Sequence, residues 1–322
     1  MKFSIVITTY NRLNLLIRAI DSALAQTIPC EVVVVDDCST DGTPAYVQER
    51  CERLASAGDK RLIYHRNPEN IGHSKSVNAS VELATGDWIK LLDDDDYLAS
   101  NCIEEMANAI ALRPQAVICS CQAAQVDVNG IELSRTRKTG PGKAFYIPQE
   151  DIHYGMLMEQ VPFGTPVQVA FSRDAFLKTE GWDSNLDTNF DDIDSWIKIA
   201  QFGDAIFINE CLSYRTIWQG AYNYKFSFQQ RLTTNILIKE KIHSLVSQKH
   251  QINTPKLQDI RNYMKLYWTL VALKQGKLLD AAKLSFPASF SPTAWKILAK
   301  VMRSRQNINQ PSSLQKLVLI MD

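Results

Sequence analysis

Apolar runs alternate with amphipathic segments through the first part of the chain. The runs are short and rich in Val, Ile and Leu, as buried strands are, and they lie at residues 3–8, 31–35, 62–65, 88–92 and 116–120. Segments at about 15–24, 43–55, 74–84 and 101–112 repeat apolar residues at helical spacing. This alternation predicts an α/β fold with a mostly parallel sheet and helices on both of its faces.

The pattern changes after Cys121. Residues 126–133 alternate in the manner of a hairpin, with Asn129-Gly130 at its turn. The elements expected next are a Gly-, Pro- and Lys-rich loop at about 137–148, strands at 167–171 and 205–208, and a helix at about 191–202. From about residue 225 the pattern is helical. We therefore expect two regions, residues 1–224 and a mainly helical region at 225–322.

Basic and acidic residues balance over the whole chain but are unevenly distributed. Lys plus Arg and Asp plus Glu both total 35, yet residues 225–322 hold 16 basic and 4 acidic side chains. That region carries a net +12, and residues 1–224 a net −12. With the amphipathic segment Ser291–Arg305, this predicts peripheral contact with an anionic membrane surface. The alternative is a helical bundle packed on the first region with its lysines in solvent.

Nucleic acid is not an expected partner, because no recognised binding motif accompanies the basic charge. The seven cysteines are odd in number and include no C-x-x-C pair, which favours buried thiols in a reducing compartment. The start MKFSIVITTY is too short for a signal peptide, and no run has the length of a membrane span. We expect a cytoplasmic protein, with possible peripheral attachment to the inner face of the cytoplasmic membrane.

Four adjacent carboxylates, Asp93 to Asp96, directly follow the strand at 88–92. Charges this close repel one another unless a cation compensates them. Asp93 and Asp95 point to the same side of an extended backbone, so they can present two oxygen ligands to one Mn²⁺ or Mg²⁺. Ligands of open α/β sheets bind beyond the carboxyl ends of strands, where this group would lie. The alternative is a solvated acidic turn that caps the following helix.

Two further acidic pairs follow apolar or turn segments. Asp36-Asp37 ends the second strand, where a carboxylate can accept the N3–H of a uracil or thymine base. A helix cap or an Asx-turn is the alternative at that position. Asp191-Asp192 begins a predicted helix and can supply a general base. Favourable interaction with the helix dipole is the alternative there.

The chain resembles a family 2 glycosyltransferase of the inverting, bacterial surface-polysaccharide or lipopolysaccharide type. The matching segments occur in the family's order and cover about residues 3–218. They are SIVITTYNR at 4–12, VVVDDCSTDGT at 33–43, NIG at 70–72 with Asn78, ATGDWIKLLDDDD at 84–96, GWD at 181–183 and DDIDSW at 191–196. The resemblance implies a GT-A fold, a Rossmann-like and mostly parallel central sheet flanked by helices. It makes residues 1–224 the nucleotide-sugar-binding and catalytic domain.

The same resemblance implies roles for individual residues. Donor-binding positions would be Thr8, Tyr10 and Arg12 in the nucleotide pocket, Asp37 on a uracil-like base, Asp93 or Asp94 on the ribose or diphosphate, and Lys75 on the diphosphate. Lys75 is included because Val77 stands where the family often has Arg. Asp95, with Asp93, would hold Mn²⁺ or Mg²⁺. Asp192 would be the catalytic base, with Asp191 as the alternative because the family often has Glu-Asp here.

The implied activity is inverting transfer of a hexosyl or N-acetylhexosaminyl group. The donor would be a nucleotide-sugar, in the first place a UDP-sugar, and the acceptor a hydroxyl of a saccharide or lipid-linked saccharide in surface glycan biosynthesis. One alternative is a sugar nucleotidyltransferase, which usually opens with a Gly-rich phosphate loop; no glycine precedes Gly42 here. Another is a noncatalytic nucleotide-sugar-binding protein, which intact carboxylates at all three acidic groups disfavour.

Overall fold

The chain divides into two compact units. The computed structural model describes residues 1–161, 163–186, 190–218, 227–306 and 314–321. The sheet unit consists of Met1–Tyr146, Phe163–Gly220 and Lys316–Asp322, and the helical unit consists of Ile147–Pro162 and Ala221–Gln315. The sequence places a single boundary at 224/225, whereas this division also assigns 147–162 to the helical unit and returns the last residues to the sheet unit.

One mixed sheet runs through the sheet unit. Its strands are β1 Phe3–Thr9, β2 Glu31–Asp36, β3 Leu62–Arg66, β4 Trp88–Asp93, β5 Tyr97–Leu98, β6 Ala116–Val126, β7 Glu132–Arg135, β8 Ala144–Ile147, β9 Val169–Ser172, β10 Asp204–Thr216 and β11 Leu317–Leu319. The order is β11-β8-β10-β6-β9-β4-β1-β2-β3, and β5 pairs with β10 and β7 with β6. The predicted mostly parallel central sheet is confirmed.

The parallel strands β1, β2 and β4 are buried on both faces. β1 pairs in parallel with both β2 and β4, and β2 with β3. Every residue of β2 is buried, which explains its uninterrupted run of four valines, since helices cover both sides of such a strand. β9 runs antiparallel to both β4 and β6 and joins this group to the parallel pair β6–β10.

Helices flank the sheet, as predicted. In the sheet unit they are α1 Leu13–Leu24, α2 Thr43–Ser56, α3 His73–Leu83, α4 Cys102–Leu112, α6 Arg173–Leu177 and α7 Asp191–Ile199. The helical unit holds α5 Gln149–Leu157, α8 Phe228–Ser244, α9 Leu257–Lys274, α10 Leu278–Ser285 and α11 Pro292–Gln306. All seven cysteines are free thiols, and four of them are buried.

The amphipathic segment at 291–305 forms α11, but its apolar face is not available to a membrane. Ala294, Ile297, Leu298 and Val301 are at most 5% exposed. This face packs against α9 within the helical unit, so it cannot provide the expected lipid contact. Among the described residues, no helix is long and apolar enough to cross a membrane.

Candidate active site

The carboxyl ends of β1, β2 and β4 meet at one edge of the sheet. Register places Thr8 opposite Asp93 and Thr9 opposite Asp36, because the three strands are parallel and adjacent. A small recess adjoins this edge. Its lining residues are Val6, Thr8, Val77, Leu91, Leu92, Asp93, Pro166 and Trp182.

Asp94 accepts hydrogen bonds from two residues at the end of β1 and just after it. Its Oδ2 accepts a hydrogen bond from Thr9 Oγ1 at 2.8 Å, and its Oδ1 accepts one from Arg12 Nη1 at 3.0 Å. Burial raises the pKa of Asp94 to about 6, although the charge of Arg12 opposes the shift. Asp94 and Arg12, both expected to contact the donor, hydrogen-bond to each other, and their contacts with the donor stay a prediction.

Asp93, Asp95 and Asp96 form a cluster suited to a divalent cation. Each offers a carboxylate oxygen, and these oxygens lie within 4.8 Å of one another. The turn in which Asp96 N donates to Asp93 O at 3.1 Å brings Asp96 beside the other two. Three oxygen ligands fit Mn²⁺ or Mg²⁺, which leave further positions for donor oxygens. The sequence identified Asp93 and Asp95 as ligands, but not Asp96.

Two members of the cluster, Asp93 and Asp96, have pKa values raised by burial. Burial raises the pKa of Asp93, with further repulsion from Asp95, and the charges of His73 and Arg215 oppose this effect. Burial also raises the pKa of Asp96 well above its ordinary value, with repulsion from Asp95 and Asp93. A bound divalent cation would reverse these shifts, because it stabilises the ionised carboxylates.

Residues at the end of β10 and just after it contact the cluster. Trp218 Nε1 donates to Asp95 Oδ2 at 2.9 Å, and Thr216 N donates to Asp96 Oδ1 at 2.8 Å. The indole ring of Trp218 also lies 5.5 Å from the Arg12 guanidinium. Sequence analysis did not identify these residues, because no charge pattern marks them and their partners lie more than a hundred positions away.

Arg215 is another residue that sequence analysis missed. Its charge lowers the pKa of Asp93, Asp96 and Asp192 against the larger effect of their burial. One guanidinium therefore interacts electrostatically with two separate acidic groups. The sequence signal for Arg215 is weak, because it is a single basic residue that follows the predicted strand at 205–208.

Asp191 and Asp192 begin α7, as predicted. Asp192 Oδ1 accepts from Ile193 N at 2.7 Å, and Asp191 Oδ2 accepts from Ser74 Oγ at 3.5 Å. Burial raises the pKa of Asp192 to about 7, with further repulsion from Asp191 and Asp93. Asp191 contacts Ser74, whose neighbour His73 lies 3.5 Å from Thr8 opposite Asp93, so this pair lies near the Asp93–Asp95–Asp96 cluster. The electrostatic effect of Asp93 on Asp192 is consistent with this arrangement.

Asp37 is buried behind the loop that precedes α3. Its oxygens accept hydrogen bonds from Asn67 Nδ2, Ile71 N and Gly72 N, each at 2.9 Å. Gly72 adopts a φ of 91°, which only glycine reaches without strain, so the loop can wrap around the carboxylate. A carboxylate offers about four acceptor positions, and these bonds occupy three of them.

Three other expected donor residues lie along the same edge. Thr8 Oγ1 is 3.5 Å from His73 Nδ1, and the His73 ring meets the Trp182 ring edge-on at 5.5 Å. Tyr10 is 46% exposed, and Lys75 is exposed in the first turn of α3. The structure thus places Thr8 beside Asp93 and leaves Tyr10 and Lys75 accessible to a ligand.

Comparison with known proteins identifies relatives of this chain. A family model described as Glycosyl transferase family 2 matches residues 4–179, more than half of the chain. The succinoglycan biosynthesis protein ExoO of Rhizobium meliloti is 40% identical over 102 residues, which are 31% of this chain and 27% of that protein. A glucosyl-dolichyl phosphate glucuronosyltransferase of Haloferax volcanii is 30% identical over 189 residues, 58% of this chain and 57% of that protein.

Solved structures share the fold. Residues 1–349 of Staphylococcus aureus TarS, in complex with UDP-GlcNAc, superpose with a TM-score of 0.60 at 16% identity over 100% of both chains. A Pyrobaculum calidifontis mannosyltransferase, in complex with GDP-Man and Mn²⁺, gives a TM-score of 0.55 at 20% identity over 95% of this chain and 86% of the other. On the match of the family model, the chain belongs to glycosyl transferase family 2, and its fold is that of the GT-A glycosyltransferases.

Proposed function

We propose that this protein is a metal-dependent, inverting glycosyltransferase. It moves a hexosyl or N-acetylhexosaminyl group from a UDP-sugar to a hydroxyl of a saccharide or lipid-linked saccharide. The observation that carries this proposal is the Asp93–Asp95–Asp96 cluster, with Arg215 and the Asp191-Asp192 pair grouped near it at one edge of the sheet. Such an arrangement combines the groups needed to hold a diphosphate and to accept a proton.

The relatives support the substrate class. ExoO is named for succinoglycan biosynthesis, and TarS is named as a poly(ribitol-phosphate) beta-N-acetylglucosaminyltransferase. Both names concern polymers that contain sugars or sugar alcohols, which supports a role in surface polysaccharide or lipopolysaccharide biosynthesis. The UDP-GlcNAc complex of TarS supports a UDP-sugar as donor.

Asp93, Asp95 and Asp96 would hold Mn²⁺ or Mg²⁺ at the donor diphosphate. When bound, the ion supplies Lewis-acid stabilisation of the leaving nucleoside diphosphate. Arg215 adds a fixed positive charge at the same place, and Trp218 and Thr216 keep Asp95 and Asp96 in position. We assign Thr8, Tyr10, Lys75 and Asp37 to the donor. Arg12 and Asp94 lie at the same edge of the sheet and hydrogen-bond to each other.

Asp192 would act as the general base. A raised pKa near neutrality suits a group that must take a proton from a sugar hydroxyl. The carboxylate orients the acceptor oxygen toward the anomeric carbon, opposite the leaving group, which inverts the configuration. Asp191 remains the alternative base, and its interaction with Ser74 on α3 favours a role in orienting the start of α7.

A donor screen tests the proposal directly. With Mn²⁺ present, UDP-sugars should raise the melting temperature and be slowly hydrolysed, and GDP- and dTDP-sugars should have smaller effects. Binding of UDP-sugars without any turnover on saccharide acceptors would instead indicate a noncatalytic binding protein. Synthesis of a nucleotide-sugar from a nucleoside triphosphate and a sugar phosphate would indicate a nucleotidyltransferase.

The pH dependence of turnover should report Asp192. Since a general base acts in its ionised form, kcat/KM should rise with pH toward about 7 and level off above it. Bound metal at Asp93 would move this limb to lower pH, because it reduces the repulsion that Asp93 exerts on Asp192. Initial rates from about pH 5 to pH 9 measure the limb. The residual activity of Asp192→Asn should lack it, and an unchanged limb in that variant would assign the titration to another group.

We place the protein in the cytoplasm, where nucleotide-sugars are made, with peripheral contact to the inner face of the membrane. The positive charge of residues 225–322 supports this location. The position of the lipid-contacting surface follows from the exposed side chains of the helical unit.

A further inference from the structure

Exposed apolar side chains are concentrated around α10 in the helical unit. Leu278, Leu279, Phe286, Phe290 and Trp295 are 68%, 80%, 70%, 77% and 45% exposed. Residues of these types are usually buried, and contiguous exposure of several of them marks an interaction surface. We call these five residues the apolar patch.

The members of the patch follow one another along the chain from α10 to the start of α11. The core-facing residues of α10 are Ala281 and Leu284, a turn of about 100° per residue places Leu279 on the opposite side, and Phe286 directly follows the helix. The Phe286 and Phe290 rings meet edge-on with centroids 6.1 Å apart.

The indole of Trp295 is fixed beside this pair of rings. Its Nε1 donates to Ser289 O at 3.0 Å, and Ser289 immediately precedes Phe290 along the chain. This hydrogen bond fixes the indole ring at the surface, so the exposure of Trp295 is a feature of the folded helical unit.

Positive charge surrounds the patch. Residues 270–305 include seven Lys or Arg and a single acidic residue, Asp280. Lys283 lies between Leu279 and Phe286 on the outward side of α10, and Lys296 follows Trp295. A second copy of this chain would bring the same positive charge to the contact, so self-association through this surface is opposed by repulsion.

We propose that the apolar patch docks the protein on an anionic lipid bilayer. Phe286, Phe290 and Leu279 would enter the boundary between headgroups and acyl chains, while the neighbouring lysines contact anionic headgroups. This surface lies on α10 and its flanks, and so replaces the buried apolar face of α11 as the lipid contact. Its purpose, access to a lipid-linked acceptor, rests on the proposed function, but the docking itself does not.

Vesicle flotation tests the docking without any substrate. The full chain should float with phosphatidylcholine vesicles that contain about 30% phosphatidylglycerol and should stay unbound with phosphatidylcholine alone. The triple variant Leu279→Ser, Phe286→Ser, Phe290→Ser should partition at least about tenfold more weakly, because it removes the apolar side chains that insert. The double variant Lys283→Gln, Lys296→Gln should bind anionic vesicles more weakly than the wild type. Its binding should also depend less on salt concentration.

Ile252→Ser provides the matched control. Ile252 is 93% exposed in the same unit but precedes α9, whereas Leu278 follows it, so a helix about 27 Å long separates them. This variant should bind as the wild type does. Circular dichroism of each variant verifies folding, and brominated lipids should quench fluorescence in the wild type more than in Trp295→Phe.

Three results would overturn the docking. They are failure of the wild type to float with anionic vesicles, unchanged flotation of the folded triple variant, and a wild-type dimer that the triple variant converts to a monomer. The last result would assign the patch to a second copy. Because the assay contains no nucleotide-sugar, loss of flotation and loss of transferase activity are measured separately.

Discussion

Asp192→Asn should lower kcat by at least about a hundredfold while donor affinity stays nearly unchanged. The amide keeps the size of the side chain and the hydrogen bond from Ile193 N, but it cannot accept a proton from the acceptor. The replacement also removes a carboxylate that repels Asp93, so donor and metal binding should not weaken. Steady-state rates with a saturating acceptor, together with calorimetric titration of UDP, measure the two quantities.

Asp191→Asn is the matched comparison for this variant. Asp191 begins the same helix and accepts a hydrogen bond from Ser74, so its loss should perturb the start of α7 without removing the proposed proton acceptor. We expect a smaller decrease in kcat than for Asp192→Asn. Near-normal turnover in Asp192→Asn, or a larger loss in Asp191→Asn, would move the role of base to Asp191.

Asp95→Ala should abolish the stimulation of activity by Mn²⁺. The substitution removes one of three clustered carboxylate oxygens, and two oxygens hold a hard divalent cation far more weakly than three. It also deprives Trp218 Nε1 of its acceptor. Mn²⁺ binding is measured by electron paramagnetic resonance of the free ion, and the metal dependence of kcat is measured in parallel.

Asp21→Ala serves as the control for this experiment. Asp21 is a half-exposed carboxylate that pairs with Arg50 on the surface, so its removal should leave Mn²⁺ affinity unchanged. If Asp95→Ala binds Mn²⁺ and responds to it as the wild type does, Asp95 is not a ligand.

The sequence predicted the parallel part of the fold because the signals there are local. β2 is buried on both faces, so its valine run identifies a central strand without knowledge of its neighbours. β11 was missed for the opposite reason. It holds three residues, follows a long helical region and pairs with β8 about 170 positions earlier, and no local pattern encodes such a pairing.

The candidate site was predicted in the same uneven way. Four consecutive aspartates reveal an acidic centre, but their sequence does not show which of them turns inward. Asp94 accepts hydrogen bonds from Thr9 and Arg12. The turn after Asp93 instead brings Asp96 beside Asp93 and Asp95, where the three carboxylates can bind a cation. Trp218 lies 123 positions from its partner Asp95, so only the folded chain brings them together.

The discontinuous division of the chain limits how the protein can be dissected. A fragment that stops at residue 224 would lack β11 and leave the edge of β8 without its partner. It would also keep residues 147–162 while discarding the rest of the helical unit to which they belong. Shortened versions of this protein should therefore be designed by replacing internal segments, with Lys316–Asp322 retained.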